Sequence, residues 1–154
     1  MKRSHEGVLM TIETTNLGPY GAYSIWWVVF NNPGACGDDG CSDADFGNPE
    51  VDASVLNATG RSADHYGNAT FSAFLPAGQI HTNPASGAVR HAFGPGLQDA
   101  RGAEIHAVVR CHGETTGNPE QISTLFADCI ADDGFGNEVC FDAQAVVLPL
   151  PRGR

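Results

Sequence analysis

Basic side chains are scarce in this chain. Eight Lys and Arg stand against eighteen Asp and Glu, a formal charge of −10. A surface so acidic repels phosphate backbones and anionic lipid, so neither nucleic acid nor a membrane is expected as a partner, and solubility is the plainest use of the charge. Long apolar runs are missing too: nothing approaches the roughly twenty residues of a membrane-crossing helix. The opening MKRSHEG has basic residues but lacks the apolar segment of a secretory leader, so for an exported protein the leader is expected to lie outside this chain. No repeat of solenoid period, low-complexity tract or interdomain linker is found, and one domain over 1–154 is expected. The G-x-S-x-G elbow, the H-E-x-x-H helix and the glycine-rich phosphate loop are absent, which removes the best-known enzyme signatures.

What is present suits strands. Apolar residues make up 42% and charged ones 17%, with 19 Gly and 9 Pro; that mixture favours many short strands joined by turns. A chain of this length buries roughly two-thirds of its unfolded surface and needs no staple merely to fold. Val8 to Thr14 alternates Val8, Met10 and Ile12 against Leu9, Thr11 and Glu13, and the turn-forming NLGPYG follows. Tyr23 to Phe30, YSIWWVVF, is apolar on both faces, which predicts a central strand covered on each side and ended by NNPG. The polar stretch from Ala35 to Glu50 has no periodicity and reads as a loop. Val51 to Thr59 and Asn68 to Leu75 alternate again, and the hairpin-length connection GRSADHYG predicts that they pair with each other. Residues 76–102 form a long loop with an edge strand at 88–93. NPEQISTLF carries the cap, proline and apolar spacing of one short helix at 118–126, and 139–148 returns as a last strand. The expected fold is all-β: a single antiparallel sandwich or small barrel with long loops and at most one short helix.

Five cysteines point to export. Cys36 with Cys41 and Cys129 with Cys140 could each close a short loop, giving two disulfides, while alternation places Cys111 on a packing face as a small hydrophobe. A reduced protein with five thiols is the competing reading, and a cysteine zinc site lacks the paired C-x₂-C spacing.

The chemistry concentrates in GAEIHAVVRCHG, residues 102–113. Read as a strand, it sends Ile105, Ala107, Val109 and Cys111 to one face, and Glu104, His106, Val108, Arg110 and His112 to the other. Imidazole is the commonest ligand of copper and zinc, which nominates His81, His91, His106 and His112. His106 and His112 lie about 20 Å apart on an ideal strand and share an ion only if the chain bends, as a bulge near Cys111 and Gly113 would permit. Pairing of His106 with Glu104, or with His81 and His91, is the more realistic set. Arg110 supports another chemistry, with Glu104 and His106 as base and orienting partner and the guanidinium as an anion clamp in a metal-free hydrolase or lyase. Acidic turns at Asp38, Asp39, Asp132 and Asp133, with Asp43 and Asp45 nearby, offer hard oxygens to calcium without the twelve-residue helix-loop-helix pattern. Asn57-Ala58-Thr59 and Asn68-Ala69-Thr70 are glycosylation sequons, meaningful only in a eukaryotic secretory pathway.

The order of WWVVFNNPGAC, SVLNATG, RGAEIHAVVRCHG and EQIST resembles a group of small exported bacterial proteins of uncharacterised function, over most of the chain. More distantly, the ATG segment, GNATFSAFL and AEIH are similar to the chordin-type CHRD sandwich and to the histidine-bearing strand of copper/zinc superoxide dismutases. Those strands carry H-x-H. Glu104 stands two residues before His106 here, so a copper site carried over by the resemblance is one imidazole short. The expected protein is an extracellular or periplasmic sandwich whose polar strand face binds copper or zinc. The alternatives are an adhesive or filament-forming module, with a small molecule, an extracellular polymer or further copies of itself as partner, and the metal-free enzyme.

Overall fold

The computed structural model describes residues 1–37, 40–78, 94–115, 141–148 and 150. The expectations at Asp38, Asp39, His81, His91, Asp132 and Asp133, the edge strand at 88–93, the helix at 118–126 and the Cys129–Cys140 pair all lie outside those residues.

Among the described residues seven strands are formed: β1 (Lys2–Arg3), β2 (Gly7–Thr14), β3 (Gly21–Phe30), β4 (Ala53–Ser62), β5 (Ala69–Pro76), β6 (Glu104–Glu114) and β7 (Phe141–Leu148). They build two sheets of order β1-β2-β5 and β4-β3-β6-β7, with every ladder antiparallel. The sheets face each other as a sandwich, and the described residues include no closed barrel. Alternation decides what lies between them. Val8, Met10, Phe71 and Leu75 from the smaller sheet meet Ile25, Trp27, Val29, Leu56, Ile105, Ala107 and Val109 from the larger one, all of them buried.

β3 is buried at all ten positions, as a central strand that is apolar on both faces requires. Its inner residues enter the main core, while Val28 and Phe30 on the outer face join a second cluster with Cys41, Val51 and Ala53. The polar stretch after β3 supplies that cover, and it is more ordered than its composition predicts. Two 3₁₀ turns, Pro33–Ala35 and Asp43–Gly47, flank a Cys36–Cys41 disulfide. Asp45 caps the second turn by accepting from the Ser42 backbone N–H at 2.8 Å, so this carboxylate is engaged in turn chemistry.

The predicted pairing of the two strands on either side of Gly60 to Gly67 is overturned. β4 pairs with β3 as far as Ser62, and β5 pairs with β2 from Ala69, so the chain crosses from one sheet to the other within residues 63–68. The backbone amides of Tyr66 and Asn68 both donate to Asp64 Oδ1 at 2.8 Å, and the Leu17 amide donates to the Gly67 carbonyl at 3.0 Å. Gly67 holds φ +75°, and a Cβ there would sit 2.1 Å from the Leu17 carbonyl oxygen. The strand pattern reports which face a side chain takes and is silent about the neighbouring strand, so a corner and a hairpin look alike from sequence.

Candidate functional site

β6 obeys the predicted parity. Ile105, Ala107, Val109 and Cys111 are buried against the smaller sheet, while Glu104, His106, Val108 and Arg110 lie half-buried on the opposite, outer face of the larger sheet. Its neighbours set what surrounds them. Across β3 the outer pairs are Phe30 with Glu104, Val28 with His106, Trp26 with Val108 and Ser24 with Arg110; across β7, Asp142 stands opposite Arg110. From β4, Val55 stands beside Val28.

The disulfide-pinned loop closes one side of this face. Phe46, from the second 3₁₀ turn, stacks on Phe30 with ring centroids 5.9 Å apart, and the His106 ring meets Phe30 edge-on at 5.1 Å. Between loop and sheet runs an open groove of about 550 Å³. Its apolar surface comes from Trp26, Val28, Phe30, Phe46, Val55 and Val108, and its polar groups are Asp43, His106, Arg110 and Asp142. That volume falls within the range of small-molecule sites.

Glu104 and His106 meet as the sequence proposed: Nε2–H of the imidazole donates to Glu104 Oε1 at 2.7 Å. The carboxylate thereby fixes the ring's orientation and tautomer. Arg110 stands differently from the expected anion clamp. Its Nε donates to Asp142 Oδ1 at 2.9 Å, so its charge is already answered by a carboxylate on β7.

His112 reaches the outer face but not the groove. Between Tyr23 and Gly21 on β3, β6 advances from Cys111 to Glu114, one residue more than its partner, with Gly113 at φ +84°. This bulge, anticipated near Cys111, buries His112 directly after buried Cys111. Ser24 Oγ lies 2.6 Å from His112 Nε2 and accepts from Trp26 Nε1 at 3.0 Å, leaving the hydroxyl proton for the imidazole. Burial, reinforced by the positive charge of Arg110, lowers the His112 pKa to about 4.

His106 and His112, the described members of the nominated copper or zinc set, do not fit one shared ion. Val108 and Arg110 separate His106 from His112 on the face, and a guanidinium between two imidazoles repels a cation. Nε2 of each is engaged, by Glu104 on His106 and by Ser24 on His112. Among the described residues no three His, Cys, Asp or Glu side chains converge as metal ligands do. Any site built from His106 with His81 or His91 extends outside the described residues.

Sequence reasoning missed Asp43, Phe46 and Asp142 as groove residues, and Ser24 and Trp26 as partners of His112. A signal existed for Ser24, the one aliphatic hydroxyl in the apolar run of β3 and on the same parity as Trp26. For Asp142, a single charge in FDAQAVVL marked a position that needs a partner or solvent, without saying which strand would supply the partner. No family model, curated protein or solved structure matches the chain, and the site is therefore read from its own chemistry.

Proposed function

We propose that this is an exported, disulfide-stabilised β-sandwich that binds a small ligand, without transforming it, in the groove on the outer face of the larger sheet. One observation carries the reading: a concave, partly apolar surface with a few fixed polar groups, held between a rigid central strand and a loop pinned by a disulfide. The polar groups are oriented by partners, as Glu104 orients His106 and Asp142 orients Arg110, which suits recognition more than turnover. The disulfide supports an oxidising compartment, extracellular or periplasmic. No helix among the described residues is long and apolar enough to cross a membrane.

The test is calorimetric titration against a panel of small neutral, cationic and anionic organic molecules, using the wild type and Val108→Trp, which fills the groove floor. Saturable binding by at least one class, lost in Val108→Trp, is the expected result. Failure of every class, or binding indifferent to the substitution, overturns the proposal.

A second reading rests on the Glu104–His106 hydrogen bond, which supports proton transfer by an oriented imidazole. Hydrolytic or lyase turnover that survives chelation and disappears in His106→Ala would favour it over simple binding.

A further inference from the structure

Resting on the binding reading above, we infer that the groove's ligand is an amphipathic organic cation: an ammonium or guanidinium carried on an apolar body. The argument is charge complementarity combined with shape. Asp43 and Asp142 line the groove from opposite sides, one on the disulfide-pinned turn and one on β7, and Glu104 stands beside the lining His106. Against these three carboxylates the described residues of the face offer one guanidinium, Arg110, whose Nε is already bonded to Asp142. Carboxylates therefore outnumber cations whichever form His106 takes, and the chain's charge of −10 adds a field of the same sign. An anionic ligand meets repulsion and finds Nε of that guanidinium already bonded to a carboxylate. A cation is drawn in.

The ligand's body follows from the floor. Between the polar ends lie Val28, Val55 and Val108 with Phe46, a surface that desolvates hydrocarbon. His106 and Arg110 are four residues apart on β6, about 13 Å along a strand. The body of an aryl-alkyl amine lies on part of this apolar stretch while its charged head reaches Asp142 or Asp43. Asp142 is 52% exposed, so part of the carboxylate stays open to solvent while it accepts from Arg110.

Three probes that share a phenylethyl body separate the possibilities: 2-phenylethylammonium, the uncharged 2-phenylethanol and the anionic 3-phenylpropionate, each titrated calorimetrically into the full chain at low salt. The ammonium is expected to bind at least tenfold more tightly than the alcohol, and the carboxylate not at all. Asp142→Asn and Asp43→Asn should each weaken the ammonium several-fold, and added salt should weaken it further. Asp142→Asn should also release Arg110 and raise affinity for 3-phenylpropionate. If the alcohol or the carboxylate binds as well as the ammonium, the groove stands as a binding site and the cation inference falls. If none of the three binds, both fall.

Discussion

Acid should destabilise this fold through His112. The folded ring has its pKa lowered to about 4 by burial and by Arg110, whereas in the unfolded chain it titrates at its ordinary 6.5. Below pH 6.5 the unfolded state therefore binds a proton that the folded state refuses, so stability is fully present above that value and is lost as pH falls toward 4. At 1.36 kcal/mol per pH unit the gap amounts to roughly 3 kcal/mol, and solvent screening at this sheet end reduces it to about 2 kcal/mol. Urea unfolding at pH 7 and pH 4.5, for the wild type and for His112→Gln, isolates the effect, because carboxylates common to both chains cancel in the difference. The wild type should lose about 2 kcal/mol more than the variant over that interval. Equal losses would refute the reasoning. Should His112→Gln fail to fold, an NMR titration of the wild-type His112 ring decides the matter: a midpoint near 6.5 sinks the argument, and a ring unchanged down to pH 5 sustains it.

Further outcomes follow from the packing. Trp27 is 1% exposed in the main core, and Trp27→Ala should cost about 3–5 kcal/mol in chemical denaturation; a loss under 1 kcal/mol would contradict the packing described. Replacing Cys36 and Cys41 together by Ser should destabilise by about 2 kcal/mol, given the short loop they close, and should loosen Phe46 over Phe30, read as faster amide exchange in residues 43–47; unchanged exchange would separate the disulfide from the groove wall. Gly67→Ala forces a Cβ against the Leu17 carbonyl at positive φ and should cost more than about 1 kcal/mol, whereas Gly47→Ala, with open space around it, serves as the control. Breaking the half-exposed Arg110–Asp142 pair by Asp142→Asn should change stability by less than about 1 kcal/mol, so a large loss of melting temperature would mean that the pair holds the fold.

Much of the sandwich was legible because a strand's side chains repeat every two residues. The packing side of β6, the double-sided burial of β3, the buried thiol of Cys111 and the meeting of Glu104 with His106 all follow from counting along single segments. The Cys36–Cys41 bridge was legible for a similar reason, since only four residues, two of them glycines that allow the turn, lie between its ends. Where a feature needed two distant segments, counting failed. The alternation of β4 and β5 is the same whether they form a hairpin or a corner between sheets, and only the contacts of Asp64 and Leu17 with 66–68 select the corner.

The amino-acid order alone thus determined the fold class and the facing of β2, β3, β5 and β6, because both depend on local geometry and on keeping apolar groups from water. Tertiary structure alone decided that Asp142 answers Arg110, that Ser24 and a bulge draw His112 into the sheet, and that a disulfide-pinned turn lays Phe46 over Phe30 to make a groove. Those outcomes depend on which strands lie side by side and in what register, and hydrogen-bonded pairing between remote segments leaves no periodic trace in either of them.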